Sequence, residues 1–271
     1  MKFMTFNSSC SYAALANLLE YYGVETSDRD IALEIGLPYL FAREDGGYIS
    51  GPMLQSAKWY NIYLNPRGFD FREEEVTKEH VCEYLRGTER AMLGIRVGEN
   101  SKHAVIYVGV DDCKLRFINN KREQSPEPDE FAFTESELMN RLDDTVMVAT
   151  LAKIAPKSVD TSECFRESCA VLKDLKRDIN EFCSQEKSAV EMHAAMNTLF
   201  RAVLLDGITM SELIVENEIV NKLKTVQNQL MGAVKANTSA RLDSLLDLTL
   251  LNSAIDEYTA LINNVNDIRN K

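Results

Sequence analysis

Where the helix-breaking residues fall constrains this fold more than any other feature. Every Pro lies at or before Pro156, and beyond it Gly occurs only at Gly207 and Gly232. Pro breaks helix interiors and Gly weakens them, so a long stretch almost free of both can be continuously helical. Its apolar residues recur at three- and four-residue spacing: Cys169, Leu172, Leu175, Ile179 and Phe182; Met192, Met196, Leu199 and Val203; Leu223, Val226, Leu230 and Val234; Leu245, Leu248, Leu251, Ile255, Tyr258 and Ile262. Stripes of this kind bury against one another, which predicts a bundle of about four helices. They share no repeat period, so a solenoid is not expected.

The half before Pro156 has a different texture. A helix is expected from Cys10 to Tyr22, stopped by Gly23, and a second from Ser27 to just before Gly36. Residues Phe41–Pro52 read as a loop, Met53–Tyr60 as a short helix, Asn61–Asn65 as a strand ending at Pro66, and Thr77–Leu85 as helical. Strands are expected at Ala91–Val97, His103–Val110 and Lys114–Asn119, the last two joined as a hairpin through Asp111-Asp112-Cys113. Glu123–Glu130 reads as a charged loop. Thr134-Glu135-Ser136-Glu137 has the form of a capping box, and Val146–Leu151 that of a last strand. The expected organisation is therefore α+β over residues 1–155, followed by an all-α helical bundle domain over residues 156–271.

The chain's 271 residues and 45% hydrophobic content suit one large or two modest globular domains. A net charge of −12 disfavours nucleic acid or an anionic membrane as partner. Met1-Lys2-Phe3-Met4 does not open a signal peptide, and no window approaches the roughly 20 apolar residues of a membrane span, so a cytoplasmic location is expected. The six cysteines form no Cys-x-x-Cys pair, and His80 and Cys82 have no second pair beside them. Free thiols follow, with no metal site. No Gly-rich phosphate loop is present, so no cofactor is expected.

Chemistry concentrates at two places. Asn7-Ser8-Ser9 precede Cys10, and all three are good N-cap types, so Cys10 sits at a helix N-terminus. There the helix dipole and unpaired N–H groups favour a thiolate. His103 opens an alternating strand far downstream and can serve as the base. A cysteine acyl-transfer site also needs a group to orient the imidazole. Asn119, at the end of the neighbouring strand, can accept from the ring N–H; Asn120 is its rival, and adjacent strand residues face opposite ways. For the oxyanion, the Cys10 N–H is one candidate donor and the Asn7 side-chain amide the other.

These residues resemble a known family. Cys10 with Ala13-Ala14-Leu15 and Tyr21-Tyr22-Gly23, His103 through Asp112, and Lys114 through Asn119 are similar to papain-like cysteine peptidases of the double-glycine leader type, which trim bacteriocin and signal-peptide precursors. The resemblance covers residues 1 to about 155 and implies a papain-like domain. In that family the Cys is the nucleophile, the His the base, and an Asp sixteen residues after the His orients it; Asn119 occupies that position here. Two positions depart from the pattern. Met4 stands where the family has a Gln, and Ser11 where it has a Gly directly after the Cys. A second resemblance, carried by Cys10 to Gly23, is to the N-terminal part of butirosin-type acyltransferases, which move an acyl group from a carrier-protein thioester to an amine.

The expected activity is that of a cysteine-nucleophile hydrolase attacking a peptide or amide bond through an acyl-enzyme, with Cys10, His103 and Asn119 as catalytic residues. The alternatives are acyl transfer to an amine, and a non-catalytic module that keeps the papain-like shape. The expected partner is a peptide or an acyl-carrier-bound substrate. The helical half also offers apolar stripes through which two copies could pair as a homodimer.

Overall fold

The computed structural model describes residues 1–44, 46–98 and 101–269. The chain divides into two compact units, one built from Met1–Ile35 with Gln55–Val159 and the other from Gly36–Leu54 with Asp160–Lys271.

The first unit opens with α1 (Cys10–Tyr21), whose Tyr12, Ala13, Ala14, Leu15, Ala16, Leu18 and Leu19 are all fully buried. A helix apolar on nearly every side belongs inside a core. It ends as expected: Gly23 takes φ 79°, its N–H bonds the Glu20 carbonyl at 3.0 Å, and Val24 N–H bonds Leu19 at 3.1 Å. The second helix, α2 (Asp28–Ile35), also follows expectation, with Ser27 Oγ accepting from Asp30 N–H at 3.1 Å. The chain then leaves this unit to form β1 (Phe41–Glu44) and β2 (Gly47–Ser50), and returns at Gln55.

Next comes α3 (Ala57–Leu64). It replaces both the helix expected at Met53–Tyr60 and the strand expected at Asn61–Asn65. The alternation read at 61–65 is the tail of a helical stripe, since Trp59, Tyr60, Tyr63 and Leu64 are the residues α3 buries. Asn65–Arg67 continues as a 3₁₀ turn. The following strand, β3 (Phe69–Thr77), was not expected; its centre is the charged run Arg72-Glu73-Glu74-Glu75, exposed on both faces, and only its ends are buried. In the region read as helical, α4 spans Val81–Arg86. Then come β4 (Ala91–Gly98), β5 (Ser101–Asp111), β6 (Lys114–Asn119), β7 (Glu130–Phe133), α5 (Glu135–Met139) and β8 (Thr145–Lys153).

These six strands form one antiparallel sheet in the order β3-β8-β4-β5-β6-β7. The β5–β6 hairpin turns on Asp112 (φ 45°) and Cys113 (φ 64°), the two left-handed residues a type I′ turn demands. The expected capping box opens α5: Glu137 N–H bonds Thr134 Oγ1 at 3.3 Å, and Thr134 N–H bonds Glu137 Oε2 at 2.8 Å. One sheet face packs Leu93, Ile95, Val105, Tyr107, Leu115 and Phe117 against Val81 and Leu85 of α4 and Leu138 of α5.

The second unit contains α6 (Ser162–Ser184), β9 (Glu186–Lys187), α7 (Ala189–Thr198), a π-helical turn at Ala202–Gly207, α8 (Ile208–Leu213), α9 (Asn217–Ala236), β10 (Ala240–Arg241) and α10 (Leu248–Arg269). Its long helices bury the predicted stripes; α6 buries Leu172, Leu175 and Ile179, and α10 buries Leu251, Ile255, Tyr258 and Ile262.

Within the stretch Phe41–Pro52, read as a loop of the first domain, β1 and β2 instead pair as a hairpin that packs into this helical unit. Phe41 N–H donates to Ser168 Oγ at 2.9 Å, Tyr48 OH to Asp178 at 2.5 Å and Ser50 Oγ to the Ala202 carbonyl at 2.7 Å. The Phe41 and Tyr258 rings meet edge to face at 5.2 Å, and Tyr258 OH bonds the Pro38 carbonyl at 2.8 Å. The helical unit is thus discontinuous in sequence. The molecule as a whole is α+β, an antiparallel sheet with its helices followed by a helical bundle.

Candidate active site

β5 and β6 bring His103 and Asn119 together through their register. Val105 pairs with Asn119, so His103, two residues back on the same strand, lies diagonally across the same face. The His103 Nε2–H donates to Asn119 Oδ1 at 2.8 Å. The Asn119 amide is held from its other side, its Nδ2 donating to the Pro128 carbonyl at 2.9 Å. An amide oxygen can only accept, so Nε2 carries the proton and Nδ1 is left for the thiol.

Cys10 sits at the first position of α1, half-buried. Burial pushes its thiol up and is the largest single influence. The hydrogen bond from His103, the Ala104 main-chain N–H, the His103 charge and the Ser11 N–H together outweigh it and hold the thiol below its ordinary range. The imidazole responds in kind. Burial alone would lower it, but Cys10, by hydrogen bond and by charge, and then Asn119 and Glu127 hold it above its ordinary range. The two opposite shifts are those of a thiol and an imidazole that each favour the other's charged form. Cys82, Cys169 and Cys183 behave differently: burial pushes all three up, Cys183 to about 12 with help from Asp243.

A chain of amides ties the nucleophile helix to the imidazole strand. Asn17 of α1 accepts from the Lys2 N–H at 2.6 Å and donates to the Lys2 carbonyl at 2.9 Å and to Asn120 Oδ1 at 2.8 Å. Asn120 Nδ2 donates in turn to the Ala104 carbonyl at 2.8 Å. Ala104 is the residue whose N–H faces the Cys10 sulfur, so this network fixes one of the thiolate's donors. Lys121 braces the loop behind Asn119, donating to the Ser125 and Glu127 carbonyls at 3.0 and 2.6 Å and pairing with Asp129 at 2.9 Å.

Of the residues singled out from sequence, Cys10, His103 and Asn119 are therefore brought together. Asn120, just past the end of β6, bonds Asn17 and the Ala104 carbonyl instead. Asn7 lies exposed in the turn before α1, its amide oxygen accepting from the Arg122 guanidinium. Sequence reasoning missed Asn17, the Ala104 N–H and Lys121. Asn17 carried a signal, a polar residue amid the apolar run of α1, but nothing in the sequence names its partner. Among the described residues, no group of three or more His, Cys, Asp or Glu side chains could hold a metal ion, and no helix is long and apolar enough to cross a membrane.

No protein-family model and no curated protein matches the chain. Solved structures similar to part of it include the peptidase domain of Streptococcus ComA, a bi-functional ABC transporter of a quorum-sensing pathway. That match has a TM-score of 0.39 and 14% identity, over 56% of this chain and 96% of the domain. A C39-like peptidase from Bacillus anthracis matches with a TM-score of 0.34 and 10% identity, over 55% of this chain and 91% of that one.

Proposed function

We propose that the first unit is a cysteine hydrolase of the peptidase type, cutting a peptide or amide bond with Cys10 as nucleophile, His103 as general acid and base, and Asn119 as the residue that orients His103. The observation that carries this is the 2.8 Å bond from His103 Nε2 to Asn119, which turns Nδ1 toward a thiol that is itself held low.

The cycle follows from the pair. The Cys10 thiolate attacks the carbonyl carbon, and the C=O electron pair moves to oxygen, giving a tetrahedral oxyanion. The Cys10 N–H at the start of α1 donates to that oxyanion, favoured by the positive end of the helix dipole. We assign the second donor to the Asn7 side-chain amide, whose oxygen is held by the Arg122 guanidinium so that its N–H₂ is left to donate. His103 Nδ1–H then protonates the leaving amine as the C–N bond breaks, leaving a thioester. His103, now neutral, takes a proton from water, whose oxygen attacks the thioester. Collapse releases the acid and restores the thiolate–imidazolium pair.

The test is release of a fluorogenic amine from a peptide-amide library, with the parent chain, Cys10→Ala and His103→Ala. Turnover by the parent and none by either variant is expected. Turnover that survives Cys10→Ala rejects the reading. So does an inert parent whose Cys10 alkylates with iodoacetamide no faster than the other thiols.

A further inference from the structure

Asp28 takes no part in the triad, yet its side chain is fully buried and surrounded by donors. Thr5 N–H reaches Oδ2 and the Thr5 hydroxyl reaches Oδ1, both at 2.7 Å; the Ser9 hydroxyl reaches Oδ2 at 2.6 Å and Arg29 N–H reaches Oδ1 at 2.8 Å. Four donors match the roughly four acceptor sites of a carboxylate. Three of these bonds come from residues 5–9, the segment that delivers Cys10. That segment includes Ser8 at φ 60°, a left-handed conformation that a non-glycine residue holds only under constraint.

The bond from Ser9 has a specific consequence. Ser9 is the N-cap residue of α1, and a serine there ordinarily takes extended geometry and accepts from the N–H of the second or third helical residue. Here it has φ −84° and ψ 15° and makes no capping bond. Its hydroxyl is held instead between two acceptors, Asp28 Oδ2 at 2.6 Å and the Phe6 carbonyl at 2.9 Å, of which the carboxylate is the nearer. The second helical residue is Ser11, whose N–H faces the Cys10 sulfur. A capping Ser9 would compete for that same N–H.

We propose that Asp28 is a positioning residue for the nucleophile: by holding the Ser9 hydroxyl, it leaves the first-turn N–H groups of α1 to the thiolate and to the substrate oxyanion. This rests on the reading of Cys10 as the nucleophile. The carboxylate acts through Ser9 and does not touch the reacting atoms.

The experiment is the pH profile of Cys10 alkylation by iodoacetamide, read by peptide mass spectrometry beside thermal melting. The chains are the parent, His103→Ala, Asp28→Asn, Ser9→Ala and the double variant Ser9→Ala/Asp28→Asn. Asp28→Asn removes the nearer acceptor and leaves only the Phe6 carbonyl to hold the Ser9 hydroxyl, which can then turn to cap, so Cys10 labelling at pH 7 slows about tenfold and its midpoint moves up, the scale of one lost hydrogen bond to a charged group. Ser9→Ala has no hydroxyl to cap with and labels close to the parent rate. The double variant recovers most of the loss. Should Asp28→Asn not fold, Asp28→Glu, which displaces the acceptor and keeps the charge, is expected to show the same slowing. A lower melting temperature with an unmoved profile means a structural role alone and overturns the proposal. A double variant as slow as Asp28→Asn also overturns it. If the parent itself labels like an ordinary thiol and His103→Ala changes nothing, the nucleophile reading and this inference fall together. An activated parent with unmoved Asp28 variants removes only the inference.

Discussion

Opposing influences meet at the Cys10 sulfur. Burial resists a charge there, while His103 and two main-chain N–H groups solvate it, and the second effect wins. The sign of the pH dependence follows. The thiol is held low, so the acid limb of Cys10 labelling lies below the range of an ordinary thiol, and the buried Cys183 should label only near pH 12, if at all. The imidazole is held high, so hydrolysis falls on the alkaline side only above the ordinary histidine range, as His103 loses its proton. Rate-versus-pH curves of parent and His103→Ala measure both limbs. Asn119→Ala should lower kcat/KM by about 10- to 100-fold, because general acid–base catalysis then depends on a ring free to turn. Asn119→Asp, which keeps the acceptor, should retain more activity than Asn119→Ala. Asn120→Ala leaves the Asn17 amide buried without one partner. It should cost about 1–3 kcal/mol of stability by denaturant unfolding.

At the scale of elements, the π-helical turn at 202–207 has the least ordinary electrostatics. Asp206 lies there almost wholly buried, and burial pushes its carboxyl up to about 6 although Arg201 Nε stands 3.1 Å away. Its folded value exceeds its unfolded one. Its contribution to stability is therefore complete below about pH 4, where both states are neutral, and is lost as pH rises through about 6. Asp206→Asn should melt above the parent at pH 7.5, by the equivalent of about 2–3 kcal/mol, with the difference closing near pH 4. Calorimetry at the two pH values decides it. The turn after β2 makes a different demand. Gly51 has φ 50°, and a Cβ there would lie 2.6 Å from Met210 Cγ. Gly51→Ala should therefore destabilise the helical unit by more than 1 kcal/mol, from strain and overpacking together, as read by chemical denaturation.

For the molecule as a whole, the consequential feature is that residues 36–54 belong with the helices that follow Asp160. The hairpin's hydrogen bonds to Ser168, Asp178 and Ala202 make its stability part of the helical unit's stability. Leu175→Ala removes a fully buried side chain from α6 and should cost about 2–5 kcal/mol. In native-state hydrogen exchange, amides of β1 and β2 should lose protection together with those of α6. Amides of β5 in the first unit should not change. If the hairpin instead keeps its protection, it is not part of that cooperative unit.

Local chemistry was readable in advance. Gly23 stops α1, Asp112-Cys113 turns the hairpin and Thr134 with Glu137 caps α5, because each depends on residues within a few positions of one another. The spacing of His103 and Asn119 was readable for the same reason, since one hairpin register sets it. What the sequence could not supply came from long-range packing. The charged run at 72–75 forms a strand because β8 pairs with it along its whole length, not because of its own pattern. β1 and β2 pair as a hairpin because helices more than a hundred positions away cover it. Asn17 finds Asn120, and Asp28 finds Ser9, through contacts that no local period encodes. Sequence alone determined the chemical types at the site and the switch from mixed to helical texture, because both are properties of neighbouring residues. Only the tertiary structure decided which donors face the thiolate and which unit each segment joins, because burial and hydrogen-bond partners are set by the folded chain as a whole.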